Sequence, residues 1–210
     1  DVFHFVYYAP TAIITVMGDR TPDIQARELL AAVSRGESDI LGRLALGKDP
    51  TSAAQATEDA VAWIEARKDG SDFKTNLLLR AHRLFHGSEA IPSALWEKVR
   101  RALLHFIHRD FPADCRLLHR SENHRLAYMT TELLTAETWP GDTFGHTGRP
   151  AIEHFHQARN DFIDWSNWVG VYGTPEWDSQ TYYGIDILAL LNLFDFSGDE
   201  TVRRRARWVL

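Results

Sequence analysis

The sequence has 210 residues, of which 44% are hydrophobic and 25% are charged, and this composition excludes an intrinsically disordered chain. Lys and Arg number 23 against 29 Asp and Glu, a formal net charge of -6, which excludes a nucleic-acid binder that depends on phosphate neutralisation. Cys115 is the only cysteine, so an intrachain disulfide is excluded and cysteine pairing says nothing about the compartment.

The first 20 residues are apolar but fit no targeting or membrane pattern. They begin with Asp1, contain His4 and Pro10, and lack a basic stretch ahead of the apolar run, so neither a signal peptide nor a membrane span is predicted. We interpret residues 1–20 as an apolar edge segment of a single helical domain that covers residues 1–210. The localisation stays open, and a secreted or periplasmic protein is compatible with the sequence.

Helical periodicity dominates from Pro22 to the end of the chain. Apolar residues recur at helical spacing, whereas the alternation typical of strands is nearly absent, and short connections rich in Gly, Pro, Asp and Ser separate the segments. The predicted helices cover residues 23–35, 53–68, 71–85, 92–109, 121–134, 148–170, 179–194 and 198–210.

The spacing of three predicted helix starts indicates the architecture. Ser71, Ser121 and Ser179 each suit the N-terminal cap of a helix, and one further helix lies between each successive pair. Helices that begin at these serines are therefore expected to run parallel within an all-α array of αα-hairpins, either an α/α toroid of the six-hairpin type or an α-solenoid. The amphipathic stretch 203–210 has nothing after it to cover its apolar side, so we expect an incomplete array that a further segment or chain completes.

The helix that follows Ser121 opens with Glu122, Asn123 and His124. The first turn of a helix has unpaired backbone N–H groups and the positive end of the helix dipole, so it suits contact with an anion. These side chains are candidates for binding an acidic group of a ligand. Alternatively, Glu122 interacts with the dipole while Asn123 and His124 cap a neighbouring loop.

A second group of polar and aromatic residues surrounds the predicted start at Ser179. Glu176, Trp177 and Asp178 precede it, and two tyrosines follow it. Tyr183 shares a helical face with apolar residues, whereas Tyr182 shares its face with Asp186 and Ala189, which makes Tyr182 the better candidate for chemistry. If alternate helices are parallel, this group lies at the same end of the array as His124, and together they are typical of a sugar-binding cleft. The alternative is a tight loop with a buried tryptophan and two core tyrosines.

Three stretches carry a resemblance to known proteins. They are SENHRLAYMTTELL (121–134), FGHTGRPAIEHFHQAR (144–159) and EWDSQTYYGIDILALLNLFDFSGDETVRRRA (176–206). Over residues 71–210 the chain resembles a family of largely uncharacterised bacterial and fungal proteins expected to form α/α toroids. It is also distantly similar to alginate lyases and related polysaccharide lyases, which use an Asn-His pair to bind the uronate carboxylate and a later tyrosine as base or acid. This resemblance implies such roles for Asn123, His124 and Tyr182, with Arg125 among the candidate arginines for the substrate.

Three functions follow from these patterns. The first is a polysaccharide lyase that cleaves a uronate-containing glycan by β-elimination, which needs donors to the carboxylate and a base. The second is an inverting glycoside hydrolase with Glu122 and either Glu176 or Asp178 as its carboxylate pair. The third is a helical glycan-binding or scaffold domain without turnover.

We predict no cofactor and no metal site, although the sequence has ten histidines. Three pairs have short spacings, His82 with His86, His105 with His108, and His154 with His156, and no HExxH motif accompanies them. We interpret them as surface or capping histidines. Tryptophans in helical stripes are interpreted as packing residues, namely Trp63, Trp165, Trp168 and Trp208.

Overall fold

A computed structural model describes residues 40–47, 49–176, 179 and 181–210. Within them the chain is all-helical, as the periodicity predicts, with eight helices and no strand: α1 (Ile40–Leu46), α2 (Pro50–Glu65), α3 (Ser71–Phe85), α4 (Ser93–His105), α5 (Glu122–Thr138), α6 (Ala151–Tyr172), α7 (Tyr183–Phe196) and α8 (Glu200–Val209). The predicted edge segment 1–20 and the predicted helix 23–35 lie outside the described residues.

The three serine positions differ in how well they mark helix starts. Helix α5 begins at Glu122 directly after Ser121, as predicted, but the Ser121 hydroxyl donates to Asn123 Oδ1 at 2.7 Å instead of capping the backbone. Ser71 is the first residue of α3, and Gly70 takes the cap position in a left-handed conformation. The prediction for Ser179 is wrong, because α7 begins at Tyr183 after a turn in which Ser179 Oγ accepts from the backbone N–H of Tyr182 at 3.2 Å.

Helices α3 and α5 run in the same direction, as the spacing of the helix starts predicts. Near the start of both, His124 Nδ1 lies 2.6 Å from Asp72 Oδ2, and further along Asn76 Nδ2 donates to the Ala127 carbonyl at 3.1 Å. Since contacts follow the same order along both helices, their N-terminal ends lie together.

Helix α7 joins this parallel group. Asn192 Nδ2 donates to the Asn76 carbonyl at 3.1 Å, and Arg80, one turn further along α3, donates to Asn192 and Asp195 at 3.0 and 2.6 Å. Helix α6 runs the other way against α5, because Trp165 near its end contacts Glu122 while His154 near its start contacts Glu132. The result is a set of αα-hairpins in which α3, α5 and α7 share a direction.

The apolar sides of these helices meet in one principal core. Leu78, Leu103, Leu133, Phe162 and Leu193 are almost fully buried there, and burial of each such side chain stabilises the fold by about 1.5–3 kcal/mol. In α8, Val202 and Ala206 are buried while the large side chains at the end of the chain are exposed. No helix in the described part of the chain is long and apolar enough to cross a membrane.

Candidate functional site

A cavity of about 860 Å³ opens beside the first turns of α5. Helices α5 and α6 form two of its walls, and the connection from α4 to α5 and the residues after α6 form the rest. Its lining combines carboxylates, arginines, histidines and aromatic rings, the mixture that binds polar ligands with apolar faces. The charged members are Arg109, Asp110, Arg120, Glu122, Arg125, Glu132, Asp161, Asp164 and Glu176.

Two carboxylates of this wall, Glu122 and Glu176, hold each other in place through the backbone. Glu122 Oε2 accepts from the Glu176 N–H at 3.3 Å, and Glu176 Oε2 accepts from the Asn123 N–H at 3.3 Å. The second bond places the Glu176 carboxylate at the N-terminal end of α5, where the helix dipole favours negative charge. The structure thus brings together one residue from each of the two groups that the sequence singled out.

Glu122 has the more perturbed environment of the two. Burial raises its pKa, and the charge of Glu176 acts in the same direction, while hydrogen bonds from the Glu176 N–H and from Trp165 Nε1 at 3.2 Å oppose the shift. A carboxyl group whose pKa is raised retains a proton at higher pH than an exposed glutamate does. It can therefore donate that proton within the cavity.

Asn123 and His124 are buried beside this cavity and do not form its wall. His124 Nδ1 pairs with Asp72 Oδ2, and the ring stacks on Phe73 at 4.7 Å between centroids. Burial opposes protonation of the ring, but the hydrogen bond and charge of Asp72 prevail and raise the pKa of His124. Burial also raises the pKa of Asp72, so the pair shares a proton that neither side chain readily loses to solvent.

Asp186, on the first turn of α7, lies near both glutamates and His124. It is 7% exposed, and neither carboxylate oxygen has a hydrogen-bond partner among the described residues. Burial, with a further contribution from the charges of Glu122 and Glu176, raises the pKa of Asp186 to about 8, while His124 opposes the shift. The carboxyl group is therefore largely protonated at neutral pH.

Because Asp186 is protonated in the folded chain, we expect the free energy of unfolding to depend on pH. The pKa of Asp186 is about 8 in the folded chain against 3.8 for an unperturbed aspartate, so the folded state keeps a proton that the unfolded state releases. The free energy of unfolding is therefore expected to fall as pH rises from about 4 to about 8, by on the order of a few kcal/mol from this group. In urea unfolding measured at several pH values, the free energy of unfolding of Asp186→Asn should fall less between about pH 4 and about pH 8 than that of the natural protein.

Asp114→Asn is the matched control, because Asp114 is exposed. Carboxyl groups remote from both positions titrate equally in the two variants and cancel from the comparison. An Asp186→Asn profile that declines as steeply as the natural one would show that the ionised form of Asp186 is not disfavoured by folding.

Comparison with models of protein families, with curated proteins and with solved structures found no match. The resemblance to uncharacterised α/α-toroid proteins and to alginate lyases therefore stays a prediction.

The remaining predicted site residues take different positions. Arg125 lines the cavity, and among the described residues it forms no ion pair. Tyr182 precedes α7 and is 39% exposed, and it does not line the cavity. Trp177 and Asp178 lie outside the described residues. The cavity thus combines Glu122, Arg125 and Glu176, and leaves Tyr182 away from its wall.

The interpretation of the histidines as surface or capping residues is wrong for two of them. His108 and His154 are 4% and 2% exposed. His154 Nδ1 pairs with Glu132, which also binds Arg109, and these hydrogen bonds overcome the effect of burial and lower the pKa of Glu132. Helical spacing did not reveal this cluster because its members come from three separate segments. Among the described residues, no group of three or more His, Cys, Asp or Glu is placed to hold a metal ion.

The interpretation of the tryptophans as packing residues also needs correction. Trp165 is buried, as a packing residue should be, but its indole also donates to Glu122. Trp168 is 43% exposed and lines the cavity, and Trp208 is 61% exposed. Phe111 and Tyr128 form further aromatic lining. Aromatic rings at the wall can pack against the apolar face of a ligand such as a sugar.

Proposed function

We propose that the cavity binds a glycan and that the protein is a glycoside hydrolase with Glu122 and Glu176 as its carboxylate pair. The observation that carries this proposal is that both side chains line one cavity and are held there by backbone donors. Glu122 accepts from the Glu176 N–H, and Glu176 accepts from the Asn123 N–H. Glycoside hydrolysis commonly requires two carboxyl groups that differ in role, one as acid and the other as base or nucleophile. The hydrogen-bond partners of these two residues differ, because Glu122 accepts from the Trp165 indole and the Glu176 N–H, whereas Glu176 accepts from the Asn123 N–H.

Glu122 takes the role of general acid. Its pKa is raised by burial, so it holds the proton that the departing sugar oxygen needs when the glycosidic bond breaks. The hydrogen bond that the Trp165 indole donates to Glu122 fixes the orientation of the carboxyl group. Protonation of the leaving group by a positioned acid lowers the barrier to bond cleavage.

Glu176 takes the role of base. Its carboxylate accepts from the Asn123 N–H at the start of α5, where the helix dipole favours negative charge. An anionic carboxylate can accept a proton from the attacking water while Glu122 donates one to the leaving oxygen, so the two transfers balance. The aromatic lining supplies surface for the sugar ring, as in other polar-ligand cavities.

The nature of the product tests this proposal. Incubation with a panel of neutral and uronate-containing polysaccharides should release reducing ends from at least one of them, without the ultraviolet absorbance of an unsaturated uronyl product. Hydrolysis adds water across the glycosidic bond, whereas β-elimination leaves a double bond that absorbs. Absorbance that grows in step with reducing ends would assign the activity to a lyase. Binding without any product would support the helical glycan-binding domain.

A polysaccharide lyase is the second candidate, and one observation favours it. Asn123 Nδ2 is buried beside the cavity without a hydrogen-bond partner in the described structure, so it is a donor for the carboxylate of a uronate. Stabilisation of the charged intermediate by such a donor is what β-elimination needs. In this mechanism Arg125, which lines the cavity, contacts the substrate. His124 and Tyr182, the expected neutralising group and proton-transfer group, do not line the cavity, so the hydrolase is the better supported candidate.

A further inference from the structure

His108 is a buried polar side chain on the wall of the cavity, separate from the carboxylate pair in sequence. It follows the end of α4 and is 4% exposed. Two aromatic rings contact it in T-shaped arrangements, with centroids 5.3 Å away at Phe106 and 5.5 Å away at Phe144. Packing of this kind fixes the orientation of the imidazole before any ligand arrives.

The ring nitrogens of His108 lack a well-formed hydrogen bond within the described part of the chain. Neither makes a hydrogen bond of ordinary geometry to the described residues, although the Phe106 carbonyl is near enough to favour protonation. Buried polar groups in folded proteins nearly always have a partner, and an exception calls for an explanation. Because this side chain lines the cavity, the missing partner can come from whatever occupies it.

The surroundings of His108 select an uncharged partner. Burial lowers the pKa of His108 to about 4, while Glu132 opposes the shift and His154 adds to it. Glu132 is already bound by His154 and Arg109, and Arg109 also pairs with Asp161 at 3.0 Å. The ring is therefore neutral at physiological pH, with one nitrogen as donor and the other as acceptor. A hydroxyl group can either accept from the one nitrogen or donate to the other, whereas a carboxylate can only accept.

We propose that His108 is the centre of a subsite that binds a hydroxyl group of an uncharged sugar unit. The proposal rests on the proposed glycan function of the cavity, and it names the class of sugar that this part of the wall takes. Phe111 and Tyr128, which line the same cavity, provide apolar surface for the carbon face of such a unit. Acidic units of a mixed glycan would then bind elsewhere on the wall.

Binding to the Glu122→Gln protein tests the subsite without turnover. The probes are cellotetraose, maltotetraose, mannotetraose and chitotetraose, with tetragalacturonate as the charged comparison, and affinity is measured by titration calorimetry. At least one neutral probe should bind, and adding His108→Leu should weaken that binding about tenfold, which equals about 1.4 kcal/mol. Adding His108→Gln, which retains a donor and an acceptor, should weaken it less than about threefold.

Histidine labelled with ¹⁵N in the otherwise natural protein gives a second readout, which does not rely on a change in affinity. The ring nitrogens of His108, assigned by their loss in His108→Gln, should shift on saturation with the neutral probe and report a neutral ring above about pH 5. The proposal is overturned if no neutral probe binds, if the signals do not move at saturation, or if His108→Leu binds as tightly as its parent.

The two proposals fail separately. Cleavage that depends on Glu122 with no response at His108 would overturn the subsite and leave the hydrolase. A His108 response to a neutral probe that the natural protein never cleaves would overturn the hydrolase and leave the subsite.

Discussion

Glu122→Gln is expected to lower the turnover of a cleaved glycan by about 10²–10⁴-fold, the usual contribution of general acid–base catalysis. The amide has nearly the same size as the carboxyl group and still offers an oxygen to the Trp165 indole, which donates to Glu122 at 3.2 Å. It cannot, however, give a proton to the leaving sugar oxygen. Initial rates of reducing-end release by the purified variant and the natural protein measure the effect.

Glu153→Gln is the matched control, because Glu153 is an exposed glutamate on α6 and does not line the cavity. Its rate should equal that of the natural protein. Glu176→Gln should also be strongly impaired, since the second carboxylate of the pair is then lost. If Glu122→Gln retains more than about a third of the natural rate, Glu122 is not the general acid, because a positioned acid contributes at least about 10²-fold.

Arg80→Ala is expected to lower the free energy of unfolding by about 3–5 kcal/mol, the usual cost of removing one partner of a buried ion pair. Arg80 is 5% exposed on α3 and donates to Asn192 at 3.0 Å and to Asp195 at 2.6 Å, both on α7. The guanidinium also lies over the Phe196 ring at 5.1 Å from its centroid. The variant leaves the Asp195 carboxylate, which is only 21% exposed, without this cation. Urea unfolding followed by far-ultraviolet circular dichroism measures the change.

Arg203→Ala removes an arginine from an exposed pair and serves as its control. Arg203 and Glu200 are 2.7 Å apart on α8, with side chains 47% and 61% exposed, so the change should cost only about 0–1 kcal/mol. A loss for Arg80→Ala that is no larger than this control would show that the α3–α7 contact does not depend on the buried arginine.

The hydrogen bonds around Arg80 also help to position side chains near the candidate site. Asn192 Nδ2 donates to the Asn76 carbonyl at 3.1 Å, and Asn76 Nδ2 donates to the Ala127 carbonyl at the same distance. These buried bonds tie α3 to both α5 and α7. Asn76 and Ala127 lie about one and a half turns after the first residues of α3 and α5, and Asn192 lies about two and a half turns after the first residue of α7. The bonds thereby fix the relative positions of Asp72, His124 and Asp186, which all lie at helix starts. Side chains held on rigid helices are positioned more accurately than those on loops.

Part of the candidate site could be predicted from local sequence. A serine followed by Glu122, Asn123 and His124 marked the first turn of α5, and the helix does begin there. The same reasoning failed at Ser179, because the turn before Tyr183 is closed by a serine side chain and is not yet helical. Serine hydroxyls satisfy backbone N–H groups in turns as well as at helix starts, so the residue type alone does not distinguish the two.

Other members could not be found from sequence because their partners are remote in the chain. Glu132 appeared only as one polar position within a helix, yet it is 1% exposed and binds Arg109 and His154. Asp186 appeared as a neighbour of Tyr182, yet burial between packed helices raises its pKa. The charge of Glu122, more than fifty residues earlier, and that of Glu176, ten residues earlier, add to this shift. Burial and charge at these positions depend on which helices pack together.

The sequence by itself determined the all-helical class and the parallel direction of the helices that contain Asp72, His124 and Asn192, because apolar periodicity and the alternation of helices along the chain are local properties. Only the tertiary structure decided which side chains share a cavity. It joined Glu122 to Glu176, and it left Tyr182 off that wall. It also buried both ring nitrogens of His108 without a hydrogen bond of ordinary geometry to the described residues. These outcomes depend on distances between residues far apart in the chain, which helix packing sets and local patterns do not encode.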